Sequence, residues 1–164
     1  MDIIDAIRQR RSVRVYTKDM PKDSDIEKVL EAARWAPSGL NNQPWRFLVL
    51  KGGKKDNLAQ FTKYGKIIQN APVAIAVFMD TADSYNRDKD LMAMGAAIQN
   101  LLLEAHSIGL AACWLGEILN KKDEVCKSLG QEPDLELTAV VVLGYSDEDI
   151  TQAGRKALKS LILK

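Results

Sequence analysis

Four arginines fall within RQRRSVRVY, Arg8 to Tyr16, of a chain whose formal net charge is only +1. In extended backbone, side chains two apart share a face, so Ser12 and Arg14 point the same way, with Arg10 just before them. Two guanidiniums and a hydroxyl converging on one spot form a receptor for a phosphate dianion, because each Arg fork pairs two oxygens at once. On spacing alone, a solvated helix end accounts for Arg8, Arg10 and Arg11 nearly as well. A nucleic-acid patch fits worse. Valines interrupt the cluster, and the chain balances 23 Lys+Arg against 22 Asp+Glu, whereas nucleic-acid-binding domains carry a strong positive field.

The second chemically dense stretch is PSGLNNQPW, residues 37–45. Asn41, Asn42 and Gln43 offer uncharged amide donors and acceptors, while Ser38 and Gly39 let backbone approach a ligand closely. Such a set suits a planar heterocycle with C=O and N–H groups along its edge; a tight loop capped by its own Asn side chains is the plainer alternative. Ser38 is a poor nucleophile candidate, since the chain has no GxSxG elbow and a single histidine, His106. His106 sits in an apolar helical pattern and reads as a core or interface residue. Cys113 and Cys126 lie 13 positions apart, form no CxxC, and with one histidine cannot complete a four-ligand zinc site. GGKK at 52–55 misses the phosphate-loop spacing and reads as a turn, and no GxGxxG follows a strand. Arg155 and Lys156 add a late basic pair. No side chains form a dedicated acid/base pair, so a bound cofactor must carry any redox chemistry.

These residues must be positioned by an ordinary globular framework. At 164 residues, 46% hydrophobic and 27% charged, the chain can bury enough apolar surface to order itself, most simply as one domain over 1–164. MDIIDAIRQRR has no secretory h-region, and the apolar runs at 72–79 and 137–143 are far shorter than the ~20 residues of a membrane span. A soluble cytoplasmic protein is expected, bound to neither membrane nor nucleic acid.

Residues 2–10 stack Ile3, Ile4 and Ile7 on one stripe of a short helix ending in arginines, and 12–16 alternate as a strand. Ser24 and Glu27 fit a capping box opening a helix that stops near Trp35, because Pro37 disfavours helical geometry at Ala36. Strands follow at 45–50, 73–78, 110–115 and 137–145, with a polar helical stretch from 54 to 70 and a short helix near 121–129. From about Asp90 to Ser107 runs a helix apolar nearly all round, which must be covered on most sides, in part by a second subunit. The tail LKSLILK has too little chain to build an element and needs a surface to dock on. Helices and strands mix without strict alternation, which indicates α+β.

The chain resembles the FMN-dependent nitroreductase family. The resemblance is carried by RRSVRVY at 10–16, ARWAPSGLNNQPWRFLVL at 33–50, APVAIAVF at 71–78, AAIQNLLLEAHSIGLAACWLG at 96–116 and VVVLGY at 140–145. It implies a nitroreductase-like α+β fold with a central mixed, largely antiparallel sheet flanked by helices, in an intertwined homodimer with FMN at the subunit interface. Arg10, Ser12 and Arg14 match the phosphate and ring-edge contacts. Arg11 belongs to the same motif and joins the cofactor-binding set, although spacing gives neither it nor Arg8 a ligand. Pro37, Ser38, Gly39 and Asn41 match the loop from the other subunit that packs on the flavin, with Gln43 steadying it. Leu115, Gly116 and Glu117 match the strand end over the ring, one of them presenting an N–H to flavin N5. Arg155 matches a C-terminal phosphate ligand, and the arm from about 146 to 164 would embrace the partner.

The implied activity is ping-pong: NADH or NADPH delivers hydride to FMN N5, and a nitroaromatic, quinone or similar acceptor then takes the nicotinamide's place. Positive charge from Arg14 would stabilise negative charge developing at the N1 and C2=O edge. A flavin dehydrogenase or dehalogenase on the same fold, an FMN storage or sensor module, and a cofactor-free basic interaction protein are the alternatives. Two departures stand out. Larger relatives carry extra helices where this chain has only the polar residues 80–90, and an Asn and a Lys before the second strand whose aligned positions fall here near Tyr64 and Ile67.

Overall fold

The computed structural model describes residues 2–149 and 154–163. It builds one antiparallel sheet in the order β1-β2-β4-β3, from β1 (Trp45–Lys51), β2 (Val73–Asp80), β3 (Ala111–Leu115) and β4 (Leu135–Gly144). The central strands β2 and β4 carry continuous apolar runs because both faces of the sheet are covered. On one face, α2 (Asp23–Arg34) and α5 (Arg87–Ser107) pack against Val73, Ile75, Val77, Val141 and Leu143. On the other, Ala74, Ala76, Phe78, Val140 and Val142 meet Leu58, Ile68 and Ile118, carried by the segments between strands, and Val125 of α6 (Lys122–Ser128). Register slips once between Val77 and Phe78, where Thr138 is the extra residue and its hydroxyl donates to the Val77 carbonyl at 3.0 Å.

Three expected elements differ. Residues 12–16 form a single parallel bridge, Ser12 to Ala112, instead of a strand. Val13 N donates to Ala112 O at 3.0 Å, but Thr17 N turns to Tyr145 O at 2.9 Å, and the Tyr16 hydroxyl takes the Val13 carbonyl at 2.5 Å. The segment thus changes partner from β3 to the chain just beyond β4, burying Val13 and leaving Val15 exposed. Burial pushes the Tyr16 phenol well above its ordinary pKa, which keeps it a donor.

The second helix lacks the expected capping box: its N-cap is Lys22 and makes no side-chain cap bond, and Ser24 lies inside the first turn. Asp23 and Asp25 act there instead, close to the positive end of the helix dipole and paired with Lys51 at 2.5 Å and Lys28 at 2.9 Å. The stretch 54–70 breaks into α3 (Gly52–Asp56), a 3-10 turn (Asn57–Phe61) and α4 (Gly65–Asn70). Lys55 explains how the pieces hold. It is buried, and its ammonium donates to Asp56 Oδ1 at 2.5 Å and to the carbonyls of Ile68 at 2.6 Å and Gln69 at 3.2 Å, closing the end of α4.

Several apolar residues stay uncovered within one chain. Ile3, Ile4 and Ile7 of α1 (Ile3–Gln9) are exposed, as are Trp35, Leu40, Met92 on the outer side of α5, and Leu158, Leu161, Ile162 and Leu163. The C-terminal arm keeps its apolar residues in solvent, although Ile150 to Ala153 and Lys164 lie outside the described residues.

Candidate functional site

Arg10 ends α1, its N–H donating to Ala6 O at 3.0 Å. Arg11 folds back on the same helix end: its Nη1 donates to the carbonyls of Arg8 at 2.6 Å and Arg10 at 2.7 Å. The Nε atoms of both arginines are buried without an acceptor. The two arginines line a cavity of about 180 Å³ where the C-terminal end of α5 meets the start of β3, together with His106, Leu110, Ala112 and Ser146. Arg155 lies near enough that, after burial and Arg11, it helps pull the Arg10 guanidinium below its usual pKa. Crowded cations with unpaired buried donors form a site that an oxyanion would satisfy.

Arg14 points to a second cavity of about 200 Å³, shared with Tyr64, Cys113, Trp114, Leu115, Gly116 and Glu117. Its Nη1 donates to Ser12 O at 3.2 Å, and its backbone N–H to Glu148 Oε2 at 3.4 Å. Glu117 Oε2 accepts from Thr62 Oγ1 at 2.5 Å and Lys63 N at 3.2 Å, and the Thr62 bond is the main cause holding its carboxyl below the ordinary range. Glu117 therefore ties the Thr62–Tyr64 segment to the strand end. That tie brings Tyr64 and Ile67 to the wall beside Arg14. Cys113 is kept a thiol mainly by burial.

The amide-rich loop lies elsewhere. Ser38 Oγ accepts from Gln43 N at 3.0 Å, and Gln43 Nε2 donates to Asn41 O at 3.1 Å. Leu40, Asn41 and Gln43 all adopt left-handed backbone, with φ of 54°, 54° and 50°. Asn tolerates this, but an exposed leucine there is strained, and such strain gathers at binding sites. The Tyr85 ring packs so closely on Gly39 that a Cβ would collide with it.

Asp90, not anticipated as a site residue, anchors this corner. Fully buried in the first turn of α5, it accepts from Asn42 Nδ2 at 2.9 Å, Ser84 Oγ at 2.6 Å, Tyr85 N at 3.1 Å and Asn86 N at 3.2 Å. Burial works to raise its pKa, but these bonds outweigh it and the net shift is downward. The sequence carried one signal for this corner: Asn86 is the true N-cap, its side chain accepting from Lys89 N at 3.1 Å.

The two groups of candidate residues sit at opposite ends of the molecule. Arg10 and Ser12 lie by His106 and Ala112, whereas Pro37–Gln43 hang from Asp90, 16 residues earlier on α5. At ~1.5 Å rise per residue that separation is about 24 Å. One chain brings Arg10, Ser12, Arg14, Arg155 and Leu115–Glu117 to one side and leaves the loop on the other. Among the described residues no helix is long and apolar enough to cross a membrane, and no group of His, Cys, Asp or Glu gathers as for a metal.

The model of the Nitroreductase family matches residues 7–145. The chain belongs to the nitroreductase family. A candidate NADH dehydrogenase/NAD(P)H nitroreductase of Methanothermobacter thermautotrophicus is 34% identical over 152 residues, spanning 91% of this chain and 80% of that protein. An iodotyrosine deiodinase of Thermotoga neapolitana is 26% identical, over 89% of each chain. Among solved structures, a nitroreductase-like protein of Desulfovibrio desulfuricans in complex with FMN superposes with a TM-score of 0.95 at 44% identity, covering 99% of this chain and 95% of that one. The expected α+β nitroreductase fold is borne out. Its named strands are all antiparallel, and the Ser12–Ala112 bridge supplies the parallel part.

Proposed function

We propose that this nitroreductase-family chain is a single FMN-binding domain over 1–164 and works as a cytoplasmic homodimer, an NAD(P)H-dependent oxidoreductase of nitroaromatics, quinones or similar acceptors. The observation that carries the reading is the cavity lined by Arg10 and Arg11, each with a buried Nε that has no acceptor, next to the one lined by Arg14 and the 115–117 strand end. Arg10, Ser12 and Arg155 would hold the phosphate, and Arg14 would face the pyrimidine edge of the ring. Backbone at Leu115, Gly116 and Glu117 would lie over the ring. FMN, when bound, supplies the two-electron carrier between nicotinamide and acceptor.

The roughly 24 Å between Pro37–Gln43 and the arginines supports a site assembled from two subunits. A partner's loop, pre-set by Asp90 and Tyr85, would complete the wall of the pocket and exclude water. The uncovered faces of α1, α5 and the C-terminal arm supply the apolar surface such an interface needs. Purified protein is expected to be yellow and to release FMN on denaturation; colourless protein that cannot be reconstituted with FMN would contradict the reading. The similarity to a deiodinase supports a second reading, reductive dehalogenation at the same site. Loss of iodide from iodotyrosine at a rate above that of nitroarene or quinone reduction would favour it.

A further inference from the structure

His106 also lines the cavity beside Arg10, and its Nε2 is a third buried nitrogen without a partner. The charged groups facing it from other elements are Arg10 and Arg11, carried by the segment after α1. The remaining walls, Val13, Leu102, Gly109–Ala112 and Ser146, bring no charge. On its own helix, Glu104 is engaged by the Ser107 hydroxyl, at 2.9 Å to its carbonyl and 3.2 Å to its carboxylate. Arginine nitrogens only donate, so these two side chains favour an acceptor such as an oxyanion. Its volume of about 180 Å³ exceeds a water's ~30 Å³ share several times over, enough for a phosphate group.

The geometry points to His106 as a further ligand of the cofactor phosphate, one that takes a proton from solvent when the dianion binds. This rests on the FMN reading above. Burial, then Arg10, then Arg11 lower the pKa of the free imidazole and favour its uncharged form. A dianion in the cavity these three residues line reverses the balance of charge, and the last turn of α5, at the negative end of its dipole, also favours imidazolium. Binding and protonation are linked: affinity for FMN gains as pH falls from above the bound-state value towards the free-state value.

The chain has one histidine, so a proton NMR titration of untagged protein reads His106 without ambiguity. The titration is run on flavin-stripped protein, on FMN-loaded protein and on riboflavin-loaded protein. The midpoint is expected to rise by about 1–2 units with FMN and to stay in place with riboflavin, which lacks the phosphate. FMN uptake with an unmoved midpoint, or an equal rise with riboflavin, overturns the inference while leaving the cofactor reading intact; no FMN uptake overturns both. In parallel, His106→Gln should bind FMN more weakly than the native chain by a factor that grows as pH falls from 8 to 6. The free phosphate's own titration is common to both proteins and cancels in that ratio, and a constant ratio contradicts the linkage.

Discussion

At the scale of single residues, the four arginines between Arg8 and Arg14 do unequal work. Arg8 lends only its carbonyl, and Arg11 spends one arm closing α1. Arg10 lines one cavity and keeps a buried Nε without an acceptor, and Arg14 lines the other. Arg10→Ala and Arg14→Ala should each weaken FMN binding by about 1.5–3 kcal/mol, the scale of a charge-assisted hydrogen bond. A fluorescence titration of stripped protein measures it. Unchanged affinity in both variants would return the cluster to a solvated helix end. This part of the site was legible because a local pattern, RRSVR, carries it. Glu117 was legible as a position and not as a role, since its partners Thr62 and Lys63 lie more than 50 residues earlier.

Elements were legible where hydrophobic period and core coincide. β2, β4 and α5 fall where their apolar runs put them, because burial on both faces leaves no competing arrangement. Residues 12–16 failed that logic. Their alternation is that of a strand, but a tyrosine hydroxyl and a change of partner from Ala112 to Tyr145 take the bonds a ladder would use. Asp90 and Lys55 were invisible for a related reason. Each is a charged residue whose burial is offset partly by near neighbours and partly by a more distant partner, Asn42 for Asp90 and the Ile68 carbonyl for Lys55, and no hydrophobic period announces that.

The Asp90 anchor can be tested directly. Asp90→Ala would leave the Asn42 amide, the Ser84 hydroxyl and two backbone N–H groups without their acceptor, and should cost about 2–4 kcal/mol in urea unfolding. The sign with pH follows from its depressed pKa. The stabilisation is fully present above the ordinary carboxylate value of about 3.9 and is lost as pH falls through the folded value. Asp90→Asn should therefore flatten the acid limb of the stability profile; an unchanged limb would mean the carboxylate does not anchor the loop.

For the whole molecule, a flavin site built from both the arginines and the 37–43 loop would need a second copy, since about 24 Å separates them along α5. Sedimentation equilibrium should give about twice the 18.2 kDa of one chain. Leu161→Glu, placing charge on the exposed C-terminal arm, should shift the protein towards monomer and lower its FMN retention together. A monomeric native chain that holds FMN tightly would contradict the two-subunit site.

The central claim is that the bound flavin cycles between nicotinamide and acceptor, and anaerobic titration of the purified yellow protein tests it most directly. NADH or NADPH should bleach the flavin absorbance stoichiometrically, and menadione or a nitroarene added afterwards should restore it. Flavin that neither nicotinamide bleaches, on protein shown to hold FMN, would contradict the account and leave a binding module without turnover.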